Sequence, residues 1–234
     1  MIKHMKLGLI LFIICLNSRT FGQIMEENTF VKIENHHSTT SYLDALINVV
    51  GTNFNYGESN NELSDYKQPL LGLQVGASFQ AGITPSFSIV SEMYLLMKGG
   101  GLKPENPMTT DKSNIRIYSL ELPLLARFHL GQFHFNIGPS IAYNLYGSQK
   151  IAGSTSGLSF GNSNNDFQRW ETGVQIGGGY TFNTKRKRLN FDIRYNYGIT
   201  DISNGNNIYN RSLIVSLHSS KPWKKNSFNR DKKE

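Results

Sequence analysis

A strict two-residue alternation between Leu120 and Tyr146 limits the fold of this chain more than any other sequence feature. The stretch reads LELPLLARFHLGQFHFNIGPSIAYNLY. Apolar residues occupy every second position on both sides of Gly131-Gln132, and polar residues such as Glu121 and Arg127 lie between them. Successive side chains of a β-strand point to opposite faces, so the pattern predicts a β-hairpin with one apolar and one mostly polar face. The apolar face must contact either a protein core or lipid.

Eight segments of the chain alternate in this way. They cover residues 42–52, 69–83, 86–98, 115–130, 133–146, 169–183, 189–200 and 209–219. The connections between them are long and short in turn, starting with a long one. Outer-membrane barrels have short periplasmic turns and longer extracellular loops, and both termini lie on the short-turn side. We therefore predict an all-β fold: an eight-stranded antiparallel up-and-down transmembrane β-barrel over residues 42–220, with extracellular long loops and periplasmic termini.

The first 22 residues have the order of a secretory signal peptide. A basic start, MIKHMK, precedes the apolar run Leu7–Leu16, and Thr20-Phe21-Gly22 comes before Gln23. A membrane-spanning helix needs about 20 apolar residues, so this run is too short to be one. The only cysteine lies inside it, so the exported chain has no disulfide or thiolate site. Outside the barrel we predict a signal peptide (1–22), a polar periplasmic lead-in (23–41) and a basic, disordered periplasmic tail (221–234).

The formal net charge of +7 does not indicate a nucleic-acid ligand. Three of the 24 basic residues lie in the predicted signal peptide and six in the tail, whereas these two segments hold two of the 17 acidic residues. The region between them therefore has 15 residues of each sign. An exported chain whose body has no basic excess offers no electrostatic basis for binding nucleic acid.

Strand length and aromatic residues favour lipid around the barrel, although soluble lipocalin-type barrels also have eight alternating strands. The predicted strands are longer than the usual globular strand, and a tilted membrane strand needs about 9–11 residues. Aromatic side chains gather near both strand ends on the apolar face, as expected at the two bilayer interfaces. The girdle toward the short turns comprises Phe79, Phe87, Phe128, Phe133, Phe182 and Phe191, and the girdle toward the long loops comprises Tyr118, Tyr143, Trp170, Tyr197 and Tyr209.

The polar face combines charges with glycines, which predicts a filled lumen. Glycine weakens a solvent-facing strand, but inside a narrow barrel it leaves room for larger side chains. An eight-stranded barrel is only wide enough for its side chains to fill. The predicted lumen network comprises Glu92, Lys98, Glu121, Arg127, Glu171, Asp192 and Arg194, with Asp44, Gln74, Gln80 and Asn196 on the same face. Because an isolated buried charge is costly, we expect Arg194 to bridge Glu92 and Glu121 and the network to plug the barrel.

Four blocks of the sequence resemble the PorT-type outer-membrane β-barrel family. They read SEMYLLMKGG, YSLELPLLARFHL, FNIGPSIAYNL and FDIRYNYGITDIS, in this order, across the predicted third to seventh strands. The positions that match the family pattern are Glu92, Tyr94, Lys98 and Gly99; Tyr118, Glu121, Pro123 and Leu124; Gly138 and Pro139; and Arg194, Tyr195, Asn196 and Gly198. The resemblance implies a small barrel in a Gram-negative outer membrane. The founding member of that family is implicated in type IX secretion.

Histidines are the residues that an enzymatic barrel would most need, together with a serine and an acid at one depth. Those after the signal peptide are His36, His37, His129, His134 and His218. His129 and His134 flank a predicted turn, where interfacial hydrogen bonding is expected, and His218 has serines but no acid near it in sequence. We predict no catalytic residue, no metal site and no cofactor.

These observations predict a non-enzymatic integral outer-membrane barrel with a structural, surface-interaction or secretion-accessory role. The expected partners are outer-membrane lipids, the barrel-insertion machinery, and secretion or surface-polymer components. A passive small-solute channel is the main alternative, and a soluble lipocalin-like binding barrel is a further one.

Overall fold

A computed structural model describes residues 41–183, 188–205 and 207–222 of the chain. The predicted signal peptide, nearly all of the predicted lead-in, residues 184–187 of a predicted turn and the predicted tail after Pro222 lie outside the described residues. Within the described ranges, no helix has the length and apolar character needed to cross a membrane.

Eight long strands account for most of the described residues. They are β1 (Tyr42–Tyr56), β2 (Leu70–Thr84), β3 (Phe87–Leu102), β4 (Ser113–Leu130), β5 (Phe133–Ile151), β6 (Trp170–Asn183), β7 (Arg188–Gly198) and β8 (Ile208–Pro222). All eight predicted strands are therefore confirmed. β1, β3 and β5 run further toward the long connections than predicted, because their extended backbone continues through less apolar residues such as Asn53 and Gln149. β8 continues to Pro222, so the strand extends past the predicted barrel boundary at residue 220.

The eight strands close into an up-and-down antiparallel barrel. Each strand pairs with the next one along the chain, and β8 pairs back with β1. Closure removes the open edges that a flat sheet would expose. Two-residue turns join β2 to β3 and β4 to β5 at one end of the barrel, and Gly131 in the second turn has a φ of 67°, which a tight hairpin requires and glycine favours. We call this end the turn end and the opposite end, which carries the long connections, the loop end.

The pleat of each strand separates an apolar outer wall from a mostly polar lumen. In β4, Glu121 and Arg127 are buried, whereas Leu122, Leu124 and Phe128 are exposed on the outer wall. The acidic residues of the eight strands, Asp44, Glu92, Glu121, Glu171 and Asp192, are all buried. A soluble barrel needs the opposite arrangement, with large apolar side chains inside, so this distribution is that of a transmembrane barrel.

The long connections contain structure that the alternation did not predict. Glu58–Tyr66 forms a 3-10 helix, and the short strands Lys67–Gln68 and Ser154–Gly157 pair with β3 and β5. Apolar side chains from these loops pack onto apolar side chains from the loop ends of the strands. This apolar cap comprises the buried residues Phe54, Tyr56, Leu63, Leu102, Ile117, Ile202 and Ile208, with the partly buried Leu158, Phe160 and Phe167 against them. The loop members stand singly among Gly, Asn and Ser, so they have no periodicity from which the cap could be predicted.

Candidate functional site

The lumen is the candidate functional site, because buried charges gather there. Its middle level centres on Arg194 of β7, which is 2% exposed. Arg194 Nη1 donates hydrogen bonds to Glu92 Oε2 on β3 at 2.8 Å and to Gln175 Oε1 on β6 at 3.3 Å. Gln175 Nε2 donates to Glu121 Oε1 at 2.9 Å and to the Tyr94 hydroxyl at 2.7 Å. An ion pair this far from water is weakly screened.

The sequence predicts that Arg194 bridges Glu92 and Glu121, and the structure differs from this prediction at Glu121. Arg194 pairs with Glu92, but Glu121 accepts its hydrogen bonds from Gln175 and, at 3.1 Å, from Asn196 Nδ2. The amide of Gln175 lies between the guanidinium and Glu121. An amide has an acceptor on one side and donors on the other, so Gln175 links the cation to the second carboxylate. Sequence reasoning did not single out Gln175, although it lies four positions after Glu171 on the same strand and therefore on the same face.

A second ion pair lies nearer the loop end. Lys98 Nζ of β3 contacts Glu171 Oε2 of β6 at 2.8 Å, and both side chains are buried. Glu171 also accepts hydrogen bonds from Asn144 Nδ2 at 2.6 Å and from Asn210 Nδ2 at 2.5 Å. Its carboxylate is therefore held by β3, β5 and β8 as well as by its own strand.

Nearer the turn end, three side chains from β4 and β5 donate to one oxygen of Asp192 on β7. Its Oδ1 accepts from Arg127 Nη2 at 3.2 Å, from His134 Nε2 at 2.7 Å and from Asn136 Nδ2 at 2.9 Å. Arg127 also donates to Asn136 at 2.7 Å and to Gln80 at 3.1 Å. His134 is thus a buried lumen residue and not the interfacial residue expected from its place beside a turn. The sequence does indicate this position, because His134 lies two residues before the lumen residue Asn136 on the same strand and therefore points to the same face.

Closure of the barrel brings Asp44 of β1 to His218 of β8. Asp44 Oδ2 lies 3.4 Å from His218 Nε2 and accepts a hydrogen bond from Ser220 Oγ at 2.7 Å. The acid that His218 lacks in sequence is therefore near it in space. A nucleophile relay would require the serine hydroxyl to bond to the imidazole, whereas Ser220 bonds to the carboxylate. This arrangement orders the β1–β8 seam but does not have the geometry of a catalytic triad.

Glycines on the lumen face provide the space that these side chains occupy. A Cβ atom added to Gly177 would lie 2.6 Å from the Cα of Arg194, and one added to Gly179 would lie 2.6 Å from the ring of His134. Both distances are shorter than real Cβ atoms tolerate. The side chains of Arg194 and His134 can therefore occupy their positions in the network only because β6 has glycine beside them.

The predicted aromatic girdle residues lie on the outer wall. At the turn end, Phe87 packs on Phe128 with ring centroids 5.3 Å apart, and Phe133 packs edge-on against Tyr180 at 4.9 Å. At the loop end, Tyr143 contacts Trp170 edge-on at 4.8 Å. The remaining members, Phe79, Phe182, Phe191, Tyr118, Tyr197 and Tyr209, are exposed or half-exposed. These side chains form two aromatic bands, one toward each end of the barrel.

The described part of the lumen holds buried ion pairs and hydrogen-bonded side chains, and the apolar cap lies over its loop end. All seven members of the predicted network are buried, and each contacts at least one other lumen residue. Among the described residues, no group of three or more His, Cys, Asp or Glu side chains could hold a metal ion. The geometry supports internal bracing across the barrel.

Comparison with known proteins gives one family and several similar structures. The family model described as the outer membrane protein beta-barrel domain matches residues 46–204. Neisserial surface protein A is 15% identical, with 78% of this chain and 97% of that chain covered and a TM-score of 0.44. Ail, the attachment invasion locus protein of Yersinia pestis, is 9% identical, with 78% and 99% covered and a TM-score of 0.42. OprG of Pseudomonas aeruginosa is 9% identical, with 79% and 97% covered and a TM-score of 0.39. No curated protein sequence matches the chain.

Proposed function

Because the chain belongs to the outer membrane protein beta-barrel domain family, we propose that it is a closed, non-enzymatic barrel that meets its partners at the loop end. Its role in this proposal is structural, surface-interacting or secretion-accessory. The resemblance of its third to seventh strands to the PorT-type family supports the secretion-accessory form of the role. Outer-membrane lipids and the barrel-insertion machinery are its expected general partners.

The closed lumen is the observation that carries the proposal. Buried ion pairs cross the lumen at several heights, and the apolar cap covers its loop end. A water-filled path for solutes would need the ion pairs to separate, and a separated buried charge costs several kcal/mol. A small-solute channel is therefore the less favoured role.

Planar-bilayer recordings test whether the barrel is closed. We expect the inserted protein to show no sustained open channel, because ion pairs cross the lumen at several heights and the apolar cap covers its loop end. Heat-modifiable gel migration of the same sample should first establish that the barrel is folded. Steady single-channel steps whose ion selectivity changes in Glu92→Gln would contradict the proposal and support the channel.

The proposed orientation places the loop end outside the cell, since long connections are extracellular in outer-membrane barrels. We expect trypsin added to intact cells to cut after Lys112, which is exposed between β3 and β4. It should spare the basic turn at residues 185–188 until the outer membrane is permeabilised. Lys112→Gln is the control that removes the first cut. Cleavage at residues 185–188 in intact cells would reverse the orientation.

Crosslinking from the loop end tests the proposed partners. Met108 is 67% exposed in the connection between β3 and β4, so a photo-crosslinking residue at this position should capture a secretion or surface-polymer component. The same residue placed at Leu130, which is exposed on the outer wall at the turn end, should capture no such component. Equal capture from both positions would argue against a loop-end partner site.

A further inference from the structure

Three arginines at the loop end lie outside the lumen network. Arg116 and Arg211 lie near the starts of β4 and β8, and Arg169 immediately precedes β6. Each lies near members of the loop-end aromatic girdle, in sequence or in space. Because all acidic strand residues are buried in the lumen, no strand carboxylate faces these arginines from the outer wall.

Arg211 is held against the wall by its backbone and by an aromatic ring. Its Nη1 donates to the carbonyl oxygens of Gly198 at 2.7 Å and Asn210 at 2.8 Å. The guanidinium carbon lies 3.6 Å from the centre of the Tyr197 ring and 5.8 Å from that of Tyr209. A guanidinium stacked in this way has little freedom left to lose when it binds an anion.

Arg169 repeats this arrangement at the seam between β5 and β6. Its Nη1 donates to the carbonyl oxygens of Asn144 at 3.0 Å and Leu145 at 3.1 Å. The guanidinium lies 4.7 Å from the centre of the Phe160 ring and 5.9 Å from that of Tyr143. As in Arg211, Nη1 is held by two backbone carbonyl oxygens and the guanidinium lies near two aromatic rings.

Arg116 provides a third example between β2 and β4. Its Nη1 donates to the Leu71 carbonyl oxygen at 2.9 Å. β3 separates the two strands, and its glycines at positions 99–101 lie where Arg116 crosses. The side chain can cross because this part of β3 has no side chains in its path.

All three guanidinium groups keep the Nε and Nη2 donors free of protein acceptors within the described ranges. None of the three forms an ion pair with a described carboxylate. The Nε–Nη2 edge is the part of arginine that matches the two oxygens of a phosphate. Three such edges without a protein anion indicate that an anion comes from outside the chain.

We propose that Arg116, Arg169 and Arg211, which we call the arginine collar, bind the phosphate groups of anionic lipid headgroups around the loop end. The aromatic girdle marks the height at which headgroups meet the barrel wall. Anionic headgroups are the negative charges present at that height, and basic side chains near them are attracted to their phosphates. The collar thereby selects the lipids that surround this end of the barrel.

Trp170 provides a local reporter, because it follows Arg169 directly and is 58% exposed on the outer wall. The chain has two tryptophans, so the Trp223→Phe variant leaves only this signal. The barrel is reconstituted into phosphatidylcholine vesicles containing brominated phosphatidic acid or, in a parallel sample, brominated phosphatidylcholine. We expect phosphatidic acid to occupy the site about fivefold more than phosphatidylcholine at equal mole fraction, seen as stronger quenching of Trp170.

Two variants separate the collar from general electrostatics. Arg169→Gln should abolish the preference for phosphatidic acid, whereas Lys150→Gln should keep it, because Lys150 is an exposed basic residue on neighbouring β5 outside the collar. Equal quenching by the two lipids, or equal loss of preference in the two variants, would overturn the proposal. So would competition by inorganic phosphate at millimolar concentration, which would identify a free-anion site. If Arg169→Gln fails to fold, the salt dependence of the Trp223→Phe protein decides instead. A preference for phosphatidic acid that does not decline with added NaCl would overturn the proposal.

Discussion

Arg194→Leu is expected to lower the free energy of unfolding by about 3–5 kcal/mol, the cost of leaving one buried charge of a pair without its partner. Arg194 is the only described residue that donates a hydrogen bond to the buried carboxylate of Glu92. Leucine would also leave Gln175 Oε1 without one of its donors. Denaturant titration of the barrel in detergent micelles, followed by heat-modifiable migration, measures this loss.

The double variant Glu92→Leu/Arg194→Leu separates charge from packing. Replacing both members of a buried pair with apolar residues is often neutral or stabilising, so the double variant should recover most of the lost stability. Arg194→Lys keeps the charge but lacks the planar fork, and it should give an intermediate loss. A double variant as unstable as Arg194→Leu would mean that the guanidinium acts by filling space and not by pairing.

Asp192→Leu should cause a loss of similar size, about 3–5 kcal/mol, because it leaves the buried Arg127 without its carboxylate partner. His134 and Asn136 lose their shared acceptor at the same time. Asp192→Asn keeps the shape and one acceptor oxygen, so it should lose less. Both variants are measured by the same denaturant titration.

Asp166 is the matched control, because it is an aspartate in a loop and not in the lumen. The backbone N–H of Ser163 donates to it at 2.9 Å, and this hydrogen bond lowers the pKa of the Asp166 carboxyl. Water can replace that contact, so Asp166→Leu should leave the stability close to that of the unaltered protein. If Asp192→Leu were equally mild, the turn-end contacts would not brace the barrel.

The sequence by itself determined the strands, their inward and outward faces and the two kinds of connection. These are local properties: alternation follows from the pleat of one strand, and the short turn at Gly131 follows from the backbone it requires. For this reason the alternation along one strand was enough to assign Glu121 and Arg127 to the lumen and Phe128 to the outer wall. The assignment needed no knowledge of neighbouring strands.

Only the tertiary structure decided which lumen side chains meet. Arg194 and Glu92 lie 102 positions apart, and their contact depends on the stagger of strands that are not adjacent. The relative heights of the strands also place Gln175 between Arg194 and Glu121, and pairing of the first strand with the last brings Asp44 to His218. The apolar cap likewise depends on how loops from several strands pack together. The pattern along one strand shows which face each side chain points to and where the strands end. Which lumen side chains contact one another depends instead on the relative heights of the strands around the closed barrel.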